Sequence, residues 1–130
     1  MAEGNWRVRG VRGAITVVEN TQMSIREATL EVFIALIQAN TISPSEVVMV
    51  LFSCTPDLDA GFPSQAVRET LPAWELVPLL DLAQLDVQGS LPRCLRVILQ
   101  FNTPKTQAQV RPIYLRGAMA LRPDLVQINS

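Results

Sequence analysis

Short apolar runs, separated by helical and turn-rich segments, leave few folds open to this chain. Residues 47–53, 75–80 and 93–101 are typical of strands, and the unbroken apolar character of the first predicts a buried strand. Residues 6–18 and 113–121 are assigned as the first and the last strand. Because helices alternate with these strands, the sequence predicts an α/β fold, an α+β mixed sheet with helices on one face.

One long helix and several short ones are predicted between the strands. Apolar residues at three- and four-residue spacing over 25–37 form one wide face that packs on a sheet. Thr21 or Ser24 can cap this helix, and Ser24 with Glu27 has the spacing of a capping box. Shorter helical segments are expected over residues 44–46, 63–71 and 106–111, with a turn at 122–125.

Two glycines interrupt the first strand. Gly10 and Gly13 break its alternation, and a glycine inside a strand often marks a bulge or a close approach of other atoms. A bulge here would place Arg12 on a different face of the sheet from Arg7 and Arg9.

The composition favours one domain that buries surface in an oligomer. Hydrophobic residues make up 48% of the 130 residues and charged residues 18%, which indicates either a dense core or a sheet-rich oligomer, the second being favoured. We expect a single domain spanning residues 1–130. The net charge of −1 gives no general attraction to nucleic acid or to a membrane surface. No signal-peptide core and no apolar run of about 18 residues is found, so we expect a cytoplasmic protein.

The reactive residue types exclude several kinds of enzyme. The chain has no histidine, which removes histidine acid–base chemistry, the usual nucleophile triads and histidine-bound metals. Cys54 and Cys94 fit no metal or redox spacing and are expected to be reduced, so no metal site is predicted. Lys105 is the single lysine among eleven basic residues, and such an arginine bias suits recognition of small anions or reflects codon or stability bias.

Several arginines stand in apolar, glycine or proline context, where they either share an anion pocket or pair with loop carboxylates. These arginines are Arg12, Arg68, Arg96 and Arg122. The available carboxylates are Asp57, Asp59, Asp81, Asp86 and Asp124. Tyr114, the only tyrosine, either donates its hydroxyl to an anion or is a half-buried strand residue.

A set of short motifs follows one order along nearly the whole chain. The motifs are Arg9-Gly10-Val11-Arg12-Gly13-Ala14, Thr55-Pro56-Asp57-Leu58, Phe62-Pro63, Ala66-Val67-Arg68-Glu69, Val77-Pro78, Asp86-Val87, Cys94-Leu95-Arg96-Val97, Tyr114-Leu115 and Leu121-Arg122-Pro123-Asp124-Leu125. Together, over roughly residues 7–125, they resemble the monofunctional chorismate mutases of the Bacillus type. Each motif is weak alone, and the specificity lies in their ordered set.

The resemblance implies a homotrimer whose sheets form a barrel-like (pseudo α/β-barrel) core, with three active sites at the subunit clefts. The implied reaction is the Claisen rearrangement of chorismate to prephenate in aromatic amino-acid biosynthesis. It needs no cofactor, metal, nucleophile or proton transfer. The site has to hold the dicarboxylate in its compact shape and to stabilise negative charge growing on the ether oxygen.

The resemblance also implies roles for individual residues. Arg96 matches the cation at the ether oxygen, Arg12 the arginine that binds the side-chain carboxylate, and Tyr114 a hydroxyl that assists Arg12. Phe62 and Arg68 match residues that the neighbouring subunit contributes, Phe62 as a wall for the ring and Arg68 as positive charge.

The C-terminal motif and three departures complete the expected site. Leu121 and Arg122 match the segment that closes the mouth, with Arg122 near the ring carboxylate. Where the family has a glutamate that accepts from the ring hydroxyl, this chain has Gln84. Three residues earlier, where the family often has a cysteine, it has Asp81. In the helix after Phe62-Pro63, where a lysine is common, it has Gln65.

Asp81 and Gln84 leave two interpretations open. We hypothesise that Asp81 supplies the missing carboxylate beside Gln84, since both belong to one crossing segment. The alternative is that Asp81 caps a turn and the enzyme is slower. The Gln84 substitution also keeps open a non-catalytic trimeric module that binds a small dicarboxylate. A purely structural oligomer is disfavoured by the matched arginines.

Overall fold

Five strands form one mixed sheet in a computed structural model that describes residues 5–126. The strands are β1 Arg7–Thr16, β2 Val47–Cys54, β3 Leu79–Ala83, β4 Cys94–Thr103 and β5 Ile113–Leu115. Their order across the sheet is β3-β2-β4-β1-β5. The central strand β4 is antiparallel to β1 and β2, while the edge strands β3 and β5 run parallel to their neighbours. The predicted mixed sheet is confirmed.

The helices are α1 Gln22–Asn40, α2 Pro63–Thr70 and α3 Pro123–Val126, and short 3-10 turns lie at Pro44–Glu46, Pro72–Trp74, Gln107–Gln109 and Arg116–Ala120. Thr21 caps α1, because its hydroxyl accepts from the backbone N–H of Ser24 at 3.1 Å. Ser24 therefore lies in the first turn and is not the cap. The helix ends after Asn40, because the next residue, Thr41, has a left-handed φ of 51°.

The core lies on one side of the sheet, under α1 and α2. Val32, Phe33 and Leu36 of α1 are fully buried against Leu95 and Leu99 of β4. The helices thus cover one face, as predicted. The opposite face, which we call the open face, carries apolar side chains that are about half exposed, namely Val8, Leu80, Leu82 and Ile98. Within residues 5–126 no helix is long and apolar enough to cross a membrane.

Two strand predictions were wrong in part. In β2 only Val50 and Phe52 are fully buried, because the alternate side chains point to the open face. The strand predicted over 75–80 begins at Leu79 instead, since the turn at Pro72–Trp74 continues through a hydrogen bond from the N–H of Val77 to the carbonyl of Trp74.

The last strand and the first strand of the chain also differ from expectation. β5 stops at Leu115 because Arg116 has a φ of 54° and turns the chain, while the N–H of Gly117 donates to Thr16 Oγ1 at 3.0 Å. Of the two interpretations of the glycines, a bulge or a close approach of other atoms, the bulge is absent, since β1 and β4 pair without a shift from Arg7 to Thr16. Plain alternation puts Arg12 on the open face.

Candidate active site

A row of side chains crosses all five strands on the open face. In register across the sheet it consists of Tyr114, Ala14, Arg96, Ser53 and Leu82. Ala14, between Tyr114 and Arg96, is buried and packs with Tyr114 and Ala118. The strand order therefore gathers polar groups that are distant in sequence.

Arg12 stands beside this row. It lies on β1 opposite Ile98, so Arg96 is its diagonal cross-strand neighbour on the same face. Diagonal neighbours lie about 7–8 Å apart, within reach of long side chains acting on one ligand. The antiparallel pairing thus presents two guanidinium groups to a single region.

Gln84 joins the row from the end of β3. Its N–H donates to the carbonyl of Cys54 at 3.0 Å, which continues the strand pairing. The hydroxyl of Ser53, opposite Arg96, donates to Gln84 Oε1 at 3.4 Å. The sequence analysis missed Ser53, although alternation from Leu51 along β2 would have indicated its face.

These residues line one cleft of about 1080 Å³. Six predicted site residues lie along it: Arg12, Gln84, Arg96, Tyr114, Leu121 and Arg122. Tyr114 is 7% exposed and packs with Ala14 and Leu121, and its hydroxyl makes no hydrogen bond within residues 5–126. The cleft has apolar walls and cationic groups, as a pocket for a small organic anion requires.

The charges of this cleft are unbalanced. Among the residues that the structure describes, neither Arg12 nor Arg96 forms an ion pair with a carboxylate. Arg122 differs, because its guanidinium holds Asp124 through contacts of 3.0 and 3.2 Å. Burial raises the pKa of the Cys94 thiol, and Arg96 opposes that rise. Two uncompensated cations therefore face the cleft.

A second cleft, of about 550 Å³, contains two further predicted residues. Phe62 lies there with 67% of its surface exposed, and Asp81 lies beside it. Asp81 pairs with Phe52, whose side chain is in the core, so it points to the helical side of the sheet. Arg68 is exposed on α2. One chain alone does not bring these three to Arg96.

The separation of Asp81 from Gln84 has a simple cause. β3 extends to Ala83, and Gln84 follows it directly. Residues three apart on an extended chain point to opposite faces of the sheet. Within a single chain, Asp81 therefore does not stand beside Gln84. No group of three or more potential metal ligands occurs among residues 5–126.

Comparison with known proteins gives one consistent result. Residues 8–125 match the family described as chorismate mutase type I. The chain is 42% identical over 118 residues to chorismate mutase AroH of Bacillus subtilis, covering 91% of this chain and 92% of the relative. It is 46% identical over 119 residues to chorismate mutase AroH of Thermus thermophilus, covering 91% and 96%.

A solved structure agrees with these relatives. A chorismate mutase from Clostridium thermocellum superposes with a TM-score of 0.81 at 33% identity, covering 85% of this chain and 97% of the other. Sequence and fold are thus similar to the same kind of protein.

Proposed function

The chain belongs to the chorismate mutase type I family, and from that membership we propose that the cleft containing Arg12 and Arg96 converts chorismate to prephenate. It is an enzyme of this kind, with a place in aromatic amino-acid biosynthesis. We propose that the rearrangement proceeds without a cofactor, by positioning the substrate and stabilising its developing charge.

The observation that carries this proposal is the pair of uncompensated guanidinium groups in one cleft. Chorismate carries two negative charges on its two carboxylates, and the planar fork of an arginine such as Arg12 binds one carboxylate through two parallel hydrogen bonds. Arg12 and Arg96 are exposed on the same face and have no carboxylate partner within residues 5–126. A dianion is therefore the ligand that best balances the cleft.

We assign the chemical step to Arg96. Its guanidinium is exposed in the cleft and has no carboxylate partner within residues 5–126, so it is available to the ether oxygen, where negative charge grows as the C–O bond breaks. Arg12 holds the side-chain carboxylate with help from the Tyr114 hydroxyl. Gln84, oriented by Ser53, accepts a hydrogen bond from the ring hydroxyl without adding charge. Leu121 and Arg122 close the mouth.

We further propose that the enzyme is a homotrimer with sites shared between subunits. The apolar open face supports this, because Leu80 and Ile98 are each more than half exposed in the single chain. Phe62 and Arg68 lie away from Arg96 and are exposed, as residues that serve a neighbour's site have to be. The two clefts of one chain then belong to two different sites.

The compartment and the extent of the domain belong to the same proposal. We place the enzyme in the cytoplasm, which is supported by the free thiols of Cys54 and Cys94, since reducing compartments keep cysteines unpaired. We treat residues 1–130 as one domain, supported by the single sheet.

The test is an assay of the purified protein with chorismate, followed by the loss of diene absorbance and the appearance of prephenate. We expect saturable turnover well above the uncatalysed rate. Saturable chorismate binding without turnover would instead select the alternative function, a non-catalytic trimeric module that binds a dicarboxylate. The neutral amide of Gln84 is the feature that favours that alternative.

A further inference from the structure

We propose that Ser64 and Asp81 form a positioned carboxylate that each subunit presents to its neighbour's site, where it replaces the acid missing at Gln84. The inference rests on the shared sites of the proposed function. It assigns a positioning role to Ser64, which the sequence analysis did not single out, and it moves Asp81 from its own chain's cleft to that of another chain.

Ser64 holds both oxygens of the Asp81 carboxylate. Its backbone N–H donates to Oδ1 at 3.0 Å and its hydroxyl donates to Oδ2 at 2.5 Å. Ser64 is only 4% exposed and lies in the first turn of α2, two residues after Phe62. The carboxylate is therefore fixed relative to the aromatic ring that lines the same cleft.

The charge of Asp81 is not neutralised by the chain that carries it. Within residues 5–126 Asp81 forms no ion pair, although its carboxylate is only partly exposed. Its field is felt locally, because burial and then the Asp81 charge raise the pKa of the Cys54 thiol to about 12. A fixed, unpaired carboxylate in a cleft suits a ligand group that donates a hydrogen bond or gains positive charge.

The geometry decides which site receives this carboxylate. Asp81 shares a cleft with Phe62, on the other side of the sheet from Arg96. Any arrangement of subunits that brings Phe62 to a neighbour's Arg96 brings Asp81 with it. The carboxylate then faces the ring as a countercharge to the positive charge that develops there, while Gln84 accepts from the ring hydroxyl. No proton transfer is required.

Complementation between two inactive variants tests the proposal. Asp81→Asn and Arg96→Ala chains are mixed in equal amounts, unfolded and refolded together, and assayed with chorismate. If Asp81 acts on the neighbour's site, some sites combine an intact Arg96 from one chain with an intact Asp81 from the other. We expect about one quarter of the wild-type activity from random assembly of the mixture. Each variant alone stays far below that value.

Two matched mixtures separate this inference from the function on which it rests. In a mixture of Arg12→Ala and Arg96→Ala chains, every site lacks one of the two arginines, because both come from the same chain. No recovery of activity is expected. Arg68→Ala mixed with Arg96→Ala tests sharing alone, and recovery is expected. Recovery with Arg68→Ala but not with Asp81→Asn would overturn the role of Asp81 and leave shared sites intact. Failure of both mixtures would overturn the shared site itself.

A rescue experiment distinguishes this role from a merely structural one at the start of α2. We expect Ser64→Ala to lower kcat about tenfold, because the Asp81 carboxylate loses one of its two fixed contacts. Adding Gln84→Glu to Asp81→Asn returns a carboxylate to the composite site and should restore kcat at least tenfold. If Gln84→Glu gives no rescue and the loss follows a lower unfolding temperature, Asp81 serves only to hold α2.

Discussion

The charge partner of each arginine decides how much that residue contributes to substrate binding. Arg12 has no carboxylate partner within residues 5–126, whereas the guanidinium of Arg122 already holds Asp124. An arginine that is already paired gains less from a substrate carboxylate, because the new contact replaces an existing one. Arg12 and Arg122, which line the same cleft, are therefore expected to differ in how much each contributes to substrate binding.

This difference gives a prediction for KM. Arg12→Ala should raise KM by about ten- to a hundredfold, since a hydrogen-bonded charge pair contributes about 1.5–3 kcal/mol. The effect falls mainly on KM because the carboxylate is bound in both the ground state and the transition state. Arg122→Ala is the matched variant and should raise KM less. Steady-state kinetics measure both, and a larger effect at Arg122 would contradict the assignment.

At the scale of elements, close packing of α1 on the sheet explains one of the two glycines of β1. A Cβ at Gly13 would lie 3.0 Å from Val97 Cγ1 and 3.3 Å from Val32 Cγ2, while a Cβ at Gly10 would meet nothing within 4 Å. Gly13→Ala should therefore lower the free energy of unfolding by about 1–3 kcal/mol through overpacking.

Gly10→Ala is the control for that substitution and should leave stability unchanged or slightly raised. Denaturant unfolding at one fixed protein concentration measures both variants, because the apparent stability of an oligomer depends on concentration. Equal stability of the two variants would contradict the close approach at Gly13.

The loop that leads to Phe62 is fixed to the start of β4 by Asp57. The Thr55 hydroxyl donates to one oxygen of Asp57, and the N–H of Arg93 donates to the other at 2.9 Å. The hydrogen bond from Thr55, followed by that from Arg93, lowers the pKa of Asp57. A carboxylate with a lowered pKa in the folded state stabilises the protein above its ordinary pKa, and this contribution is lost as pH falls.

Asp57→Asn should thus destabilise the protein by about 1 kcal/mol at neutral pH, a small value because the carboxylate is exposed. The difference from wild type should shrink as pH falls through the lowered pKa of Asp57 in the folded protein. Urea unfolding across that acidic range measures it. Asp86→Asn, on an exposed carboxylate, is the control. If the loss of unfolding free energy in Asp57→Asn did not change with pH, the ionised Asp57 carboxylate would not be its cause.

Local patterns predicted most elements of the fold, and the failure that affected the candidate site was one strand boundary, the start of β3. The helical periodicity of α1 and the proline-initiated α2 were predicted correctly. The start of β3 depends on where the turn after Pro72 ends, which is set by the pairing of β2 and β3 rather than by residues 75–80 themselves. That shift hid the fact that Asp81 and Gln84 face opposite sides of the sheet.

At the scale of the whole molecule, the open face is the surface through which we propose that the trimer assembles. Leu80 is 55% exposed on that face, while Met23, 65% exposed, lies on α1 away from it. Leu80→Asp should shift the proposed trimer towards monomers and remove activity, because a buried unpaired charge is costly. Met23→Asp should leave the assembly unchanged. Sedimentation velocity measures both, and a trimeric Leu80→Asp variant would contradict the proposed interface.

In the proposed trimer, with sites shared between subunits, a residue that lies far from Arg96 in its own chain can belong to a neighbour's site. The sequence resemblance predicted a set of site residues, and the strand register decides which face of the sheet those on the strands occupy. No local pattern carries that information, since register depends on pairing between distant segments.

The central claim is that Arg96 stabilises the charge that develops during the rearrangement of chorismate. The most direct measurement is kcat for Arg96→Ala and Arg96→Lys, with unfolding temperature and oligomeric state checked in parallel. We predict that Arg96→Ala lowers kcat by about 10²–10³-fold, the usual effect of removing one preorganised donor, and that Arg96→Lys retains part of the rate. A folded Arg96→Ala variant whose kcat stays near the wild-type value would contradict the account.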